Sequence, residues 1–250
     1  MPFDRSSPSA AETESLLAEI SRLPPDWHGA GSLRPEVLAA IARHAAGRPI
    51  EHSAETGAGR STLLLSHLCP DHLVFTNDDR GHGDSLERVR ESPLLRGETV
   101  RFVLGPTQRT LLRHSFDHPL QLALLDGPHA YPFPELEYFA LYPQLSEGAL
   151  LILDDIDVPT LFHLFTFLKE DAMFRHLETV HTTAFFVRTK APLFEPWGDG
   201  WWLQRYNRNR YPITDPEISI SRTDAWKRRV PLPVKRAIKR VLGGFRTNRI

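Results

Sequence analysis

Several residue types and patterns are scarce in this 250-residue sequence, and each scarcity excludes a class of protein. Cys69 is the only cysteine, so no disulfide can form within the chain, which fits a reducing compartment. No apolar run approaches the roughly 20 residues that span a bilayer, and the N-terminal residues lack the basic start and apolar stretch of a secretory signal. These absences predict a cytoplasmic protein.

Positive charge is also lacking from most of the chain. The net charge is −1 with neutral His, yet residues 221–250 hold ten Lys or Arg against Asp224 alone, a net +9 that leaves −10 on residues 1–220. An acidic body of this kind is not expected to bind nucleic acid. The basic tail could lie on an anionic membrane surface, but neutralisation of the acidic body by its own tail is the favoured interpretation.

Apolar runs of strand length alternate with helical patterns over residues 48–190. Five strands are predicted by "PIEHSAET", "HLVFTNDD", "TVRFVLG", "LQLALLDG" and "ALLILDD", and "LETVHTTAFFVRT" predicts one or two more. Strands that are separated by helices pair in parallel through crossover connections. The sequence therefore predicts an α/β fold with a doubly wound, mostly parallel, Rossmann-like sheet and an antiparallel last strand.

Two flanks surround this central part. Residues 1–47 form an N-terminal tail with helices over "ETESLLAEISRL" and "RPEVLAAIARHAA", and Pro35 suits the first turn of the second helix. Residues 191–250 are an extension rich first in aromatic and then in basic residues. We therefore predict three segments, 1–47, 48–190 and 191–250, with ligand chemistry at the carboxyl ends of the strands of the middle one.

The first predicted strand ends in "SAETGAGRST", residues 53–62, which carries Glu55, Gly57 and Gly59. Glycines let a ligand approach the backbone closely, but a plain turn between strand and helix would use them as well. The dinucleotide pattern G-x-G-x-x-G is absent because Thr62 occupies the place of its third glycine. Asp78 ends the second strand 21 residues after Gly57, where a carboxylate can bind a ribose diol.

Acidic residues also follow the fourth and fifth strands. Asp126 and the pair Asp154 and Asp155 come directly after apolar runs, so they should meet at one edge of the sheet. Carboxylates in this arrangement can hold Mg²⁺, although acids that cap nearby helices would look the same in sequence. His129 follows Asp126 by three residues and is a candidate general base.

These segments, in this order, resemble the class I S-adenosylmethionine-dependent methyltransferases, in the branch with D-G-x-H-x-Y after the fourth strand and a D-D pair after the fifth. The resemblance covers residues 48–190 and implies S-adenosylmethionine as the cofactor. In that family the glycine turn binds the methionine part, the acid after the second strand binds the ribose, and the loop after the third strand contacts the adenine. The implied cofactor residues are Glu55, Gly57, Gly59, Ser61, Thr62, Asp78, Thr107, Gln108 and Asp126.

Catechol-type O-methyltransferases of this fold hold Mg²⁺ with one acid after the fourth strand and a pair after the fifth, which here would be Asp126, Asp154 and Asp155. This sequence departs from them in two ways, because Asp155 stands where the catechol type has an amide and no lysine follows Asp126. A metal-free site in which Asp126 and His129 are catalytic and His129 is the base therefore remains an alternative.

The resemblance implies an enzyme that transfers a methyl group to an oxygen of a small-molecule or carbohydrate-like acceptor. The alternative function is a non-catalytic module of the same fold that acts through partners, although both glycines and all the strand-end acids are present. The apolar segment "LFHLFTFL" could form part of a homo-oligomer interface, but packing on the sheet is the favoured interpretation.

Overall fold

The computed structural model describes residues 8–24, 27, 32–77, 85–194, 200–211, 213, 230 and 234. The chain forms two compact units, one made of Met1–Lys169 with Met173–Leu193 and the other of Glu170–Ala172 with Phe194–Ile250. The predicted ribose ligand Asp78 and the charged residues of the basic tail lie outside the described residues. No helix among the described residues is long and apolar enough to cross a membrane.

A seven-stranded sheet lies at the centre of the first unit. Its strands are β1 (His52–Thr56), β2 (Asp71–Thr76), β3 (Val100–Leu104), β4 (Leu120–Leu125), β5 (Leu145–Leu153), β6 (Phe174–Val180) and β7 (Thr183–Arg188). They follow the order β3-β2-β1-β4-β5-β7-β6. Strands β1 to β5 pair in parallel, and β7 is antiparallel to both of its neighbours. The predicted fold class, including the antiparallel last strand, is confirmed.

A helix follows each of the strands β1 to β5, as the alternating pattern predicts, and further helices precede β1 and follow β7. They are α1 (Ala10–Ser21), α2 (Pro35–Ala45), α3 (Arg60–Leu68), α4 (Ser85–Glu91), α5 (Thr107–Arg113), α6 (Phe133–Leu141), α7 (Pro159–Glu170) and α8 (Arg205–Arg210). Helix α1 begins two residues before the predicted start because Ser9 and Glu12 form a capping box, in which each side chain accepts the other residue's backbone N–H. Pro35 lies in the first turn of α2, as expected.

The N-terminal helices share one apolar core with the sheet. Ile20 of α1 and Ile41 of α2 are fully buried in the same cluster as Leu124 of β4 and Ile152 of β5. The neighbouring strand residues, which point to the other face, are buried as well, so β4 and β5 are covered on both sides as their unbroken apolar runs indicate. Cys69, between α3 and β2, is 1% exposed.

The second unit is small in its described part. It contains one turn of 3₁₀ helix over Trp201–Leu203, followed by α8. Trp201 packs edge-on against Trp202, with ring centroids 6.3 Å apart, and against Tyr211 at 5.2 Å. Three aromatic residues of this extension therefore contact one another within the unit.

Candidate active site

The strand order reverses between β1 and β4, and the glycine turn lies at this point. Gly57 has φ +89°, and a Cβ atom there would lie 2.6 Å from the backbone oxygen of Asp126. Its N–H donates to the carbonyl of Phe75 at the end of β2, at 2.9 Å. Only glycine fits this conformation and this contact, so Gly57 lets the turn pass directly beside the end of β4.

Thr62, which stands in place of a third glycine, holds the turn through two hydrogen bonds of its side chain. Its hydroxyl accepts the backbone N–H of Gly59 at 3.0 Å and donates to Glu55 Oε1. Glu55 is 1% exposed, and its Oε1 also lies 3.1 Å from His72 Nε2. The other carboxylate oxygen, Oε2, is buried and has no hydrogen-bond partner among the described residues. Glu55 therefore points into the protein and supports the turn.

The ends of β2 and β3 form the next part of the edge. Gly105, with φ +128°, donates its N–H to the carbonyl of Thr76 at 2.9 Å, which ties the loop after β3 to β2. Thr107 begins α5 beside this loop and is 5% exposed. Thr76 and Thr107 both line the cavity described below.

The acids after β4 and β5 meet a histidine. Side-chain donor atoms of Asp126, His129 and Asp155 all lie within 4.8 Å of one another. His129 Nε2 is 3.2 Å from Asp155 Oδ2, and both side chains are about two-fifths exposed, at 40% and 39%. Asp155 has φ +51°, an uncommon conformation for a residue other than glycine. Asp154 is different, because its carboxylate accepts a hydrogen bond from the buried Thr183 hydroxyl.

Crowding of carboxylates changes the proton affinity of this cluster. Burial raises the pKa of Asp126 well above its ordinary value, and the negative charges of Asp154 and Asp155 raise it further. Burial also raises the pKa of Asp154, while the hydrogen bond from Thr183 opposes that increase. Negative charge is costly here without a compensating cation or proton, so the cluster is suited to hold either one.

These residues surround a cavity of about 580 Å³, a size typical of cofactor and ligand pockets. The predicted residues that line it are Gly57, Thr107, Asp126, His129, Asp154 and Asp155. Glu55, Gly59, Ser61, Thr62 and Gln108 are not among the lining residues, and the first four belong to the supporting turn and the start of α3.

Two walls of the cavity were missed by reasoning from the sequence. One is the start of α2, with Leu33, Arg34 and Val37, and the other is the turn between β6 and β7, with His181 and Thr182. Neither segment carries a sequence motif. Only tertiary packing brings them to the strand ends, so the sequence did not indicate them.

Another residue that was not predicted is Glu137 of α6, which is 2% exposed and lies behind Gly127, a residue that lines the cavity. Its Oε2 accepts the Thr56 hydroxyl at 3.0 Å, and that hydroxyl in turn accepts the Asp126 N–H at 3.0 Å. A Cβ atom on Gly127 would lie 2.4 Å from Glu137 Oε1. Burial raises the pKa of Glu137 to about 7, and the Thr107 and Thr56 hydroxyls hold it from rising further.

A signal for Glu137 was present in the sequence. Glu135 and Glu137 are two residues apart in a short apolar helix, and residues at this spacing lie on opposite faces. This spacing indicates that either Glu135 or Glu137 is turned towards the sheet.

Comparisons with known proteins identify the kind of domain and its fold. The family model of a methyltransferase domain matches residues 54–156. The chain is similar to the O-methyltransferase TomG from Streptomyces achromogenes, solved with S-adenosylmethionine, at 16% identity over 70% of this chain and 89% of that one, with a TM-score of 0.51. It is also similar to the methyltransferase PaMTH1 from Podospora anserina, solved with S-adenosylhomocysteine, at 15% identity over 75% and 91%, with a TM-score of 0.53.

At such identities the structural likenesses show the fold, and no curated protein matches the chain. The family model covers the part of the chain that contributes the glycine turn, Asp126, His129, Asp154 and Asp155. Residues 54–156 therefore match a methyltransferase domain, and the chain has the Rossmann-like fold of S-adenosylmethionine-dependent methyltransferases.

Proposed function

We propose that this protein transfers a methyl group from S-adenosylmethionine to an oxygen of a small-molecule or carbohydrate-like acceptor. The observation that carries the proposal is the placing of Gly57 against Asp126 at the reversal of strand order, beside a cavity of about 580 Å³ that ends in the Asp126, His129 and Asp155 cluster. The cavity thus combines a backbone turn that is open to a ligand with side chains that can handle a proton.

The residues present fit S-adenosylmethionine. Gly57 and Ala58 leave the backbone of the turn open to the cavity, Thr107 offers a buried hydroxyl, and the negative cluster suits the positive sulfonium. When bound, this cofactor supplies a methyl group on a positively charged sulfur. We propose that Gly57, Thr107 and Asp126 hold it, that Asp78 and Gln108 contribute as the family resemblance implies, and that Glu55, Gly59, Ser61 and Thr62 shape the turn.

An acceptor hydroxyl has to lose its proton as the methyl group arrives. His129 is open to the cavity and lies beside Asp155, so its imidazole can take this proton while the Asp155 carboxylate orients the ring and stabilises its charged form. A Mg²⁺ ion held by Asp126, Asp155 and Asp154 is the alternative way to lower the proton affinity of the acceptor. Both versions use Asp126 and favour oxygen as the methylated atom.

The proposal is tested by calorimetric titration with S-adenosylhomocysteine. We expect the wild type to bind and Gly57→Ala to lose binding, because the new methyl group collides with the Asp126 backbone. Gly47→Ala is the matched control, since Gly47 also has a positive φ of +73° but has nothing within 4 Å of the added Cβ.

Equal affinities of the folded Gly57→Ala and Gly47→Ala proteins would contradict the site. A wild type without affinity for the cofactor would instead favour a non-catalytic module. Asp126→Asn with full methyl-transfer activity would contradict both catalytic versions.

A further inference from the structure

A chain of buried polar side chains runs behind the glycine turn. Ser53 Oγ lies 2.8 Å from His72 Nδ1, and His72 Nε2 lies 3.1 Å from Glu55 Oε1. From Glu55 the chain passes through the Thr62 hydroxyl to the backbone N–H of Gly59. None of the four side chains is more than 1% exposed. The turn is therefore connected to the interior of β1 and β2 by hydrogen bonds that water does not reach.

His72 lies in the middle of this chain and has no part in the proposed reaction. A buried histidine with hydrogen-bonding partners at both ring nitrogens has a fixed ring orientation. A buried carboxylate needs donors, and among the described residues Glu55 Oε1 is hydrogen-bonded by two side chains, Thr62 and His72. Without His72, Glu55 Oε1 would keep only the hydrogen bond from Thr62 within the described part of the chain. The Glu55 carboxylate would then shift, and the Thr62 side chain would shift with it.

A shift of Glu55 and Thr62 would affect the part of the cofactor that binds at the glycine turn. Gly59 and Thr62 follow Gly57, and Gly57 lines the cavity. The Glu55 carboxylate behind the turn has one oxygen without a partner among the described residues, so the turn carries uncompensated negative character. A ligand end with an ammonium group is the one that such a turn favours.

We propose that His72 is a positioning residue that fixes Glu55, and through Thr62 the glycine turn, for the ammonium-bearing end of the cofactor. This proposal rests on the proposed function, because it assumes that the cavity binds S-adenosylmethionine. It assigns to a residue in the middle of β2 a role in binding without contact with the ligand.

The test compares two ligands by calorimetry. S-adenosylhomocysteine has both the adenosine and the amino acid, whereas 5′-methylthioadenosine keeps the adenosine and the thioether and lacks the amino acid. We expect His72→Phe to weaken the binding of S-adenosylhomocysteine by about tenfold, because Glu55 and the glycine turn then lose their fixed position. The affinity for 5′-methylthioadenosine should stay unchanged.

His67→Phe is the matched control. His67 lies on α3, the helix that follows the turn, but its imidazole contacts the Leu94 carbonyl at 2.9 Å and takes no part in the buried chain. This variant should bind both ligands as the wild type does. His72→Gln keeps an N–H donor and should recover part of the affinity for S-adenosylhomocysteine.

The outcomes separate the two proposals. If His72→Phe lowers the affinity for both ligands equally, or lowers neither affinity, the proposed role of His72 is overturned while the cofactor site stays in place. A wild type that binds neither ligand would overturn the proposed function and this inference with it. If circular dichroism shows that His72→Phe does not fold, His72→Gln and Ser53→Ala carry the same comparison, with a smaller expected loss that is again confined to S-adenosylhomocysteine.

Discussion

The two glycines of the turn have different roles when they are considered as single residues. Gly57 has a positive φ and touches the Asp126 backbone, so any side chain there is excluded. Gly59 has φ −167°, extended backbone that any residue adopts, and contributes its N–H to Thr62. The requirement for glycine is therefore steric at Gly57, whereas Gly59 is defined by the hydrogen bond that it makes.

Glu137 makes stability depend on pH. Its ordinary pKa is 4.5 and the folded protein raises it to about 7, so the native state holds a proton that the unfolded chain releases. The favourable contribution is present below 4.5 and is lost as the pH rises through about 7, a loss of about 3 kcal/mol from the size of the shift. Glu137→Gln has no proton to release, so its stability relative to wild type should rise over this range.

Urea unfolding at about pH 4.5 and about pH 8 measures this difference. Glu135→Gln, two residues earlier on the same helix and only partly buried, is the control and should follow the wild-type pH dependence. If the Glu137→Gln and wild-type stabilities change in parallel with pH, the carboxyl is not held in its protonated form.

Sequence reasoning found the residues whose chemistry shows at strand ends and missed those inside elements. Asp126, Asp154 and Asp155 were predicted because they follow apolar runs at the expected edge of the sheet, and His129 because it lies in the loop three residues after Asp126. His72 and Glu137 lie within a strand and a helix, where a polar residue usually faces solvent. Only packing shows that both are turned inward.

At the scale of elements, β4 and β5 bring three carboxylates to one edge of the sheet. Since the pKa of Asp126 is raised by burial and by its acidic neighbours, a divalent cation should relieve the repulsion and stabilise the fold. We expect Mg²⁺ to raise the melting temperature of the wild type and EDTA to reverse the effect. Asp126→Asn should lose the response, and Asp157→Asn, which lines the same cavity outside the donor cluster, should keep it.

A cluster that works without metal would give different results in the same measurements. If the cluster works without metal, Mg²⁺ leaves the melting temperature unchanged and EDTA leaves activity unchanged. Asp126→Asn then stabilises the protein, because it removes one of three adjacent negative charges, and His129→Ala is the variant that loses methyl transfer.

The elements themselves were largely predictable because their periodicity is clear. The five parallel strands follow from the strand-length segments of the sequence, and α6 ends before Pro143, which lies in a 3₁₀ turn. The walls of the cavity at α2 and at the turn between β6 and β7 were not predictable, since they are far from the glycine turn in sequence and carry no motif.

At the scale of the whole molecule, charge is divided between an acidic body and a basic tail. Residues 221–250 carry a net +9 against −10 on residues 1–220, and every residue placed at the site belongs to the acidic body. We expect a variant that ends at residue 220 to bind S-adenosylhomocysteine with unchanged affinity in calorimetry.

Sedimentation with anionic vesicles tests the alternative role of the tail. Equal sedimentation of the full chain and the shortened variant would exclude a membrane-binding tail, and a loss of cofactor affinity would show that the tail supports the site.

The rate at which the single thiol of this chain, Cys69, reacts with a dye can report local unfolding. Cys69 is 1% exposed, and burial raises its pKa to about 11, so a thiol-specific dye cannot react with the native protein. Labelling therefore proceeds only as fast as the segment between α3 and β2 opens. Since α3 begins directly after the glycine turn, a bound cofactor should slow the dye reaction, and ligand binding can be followed by colour without altering a residue.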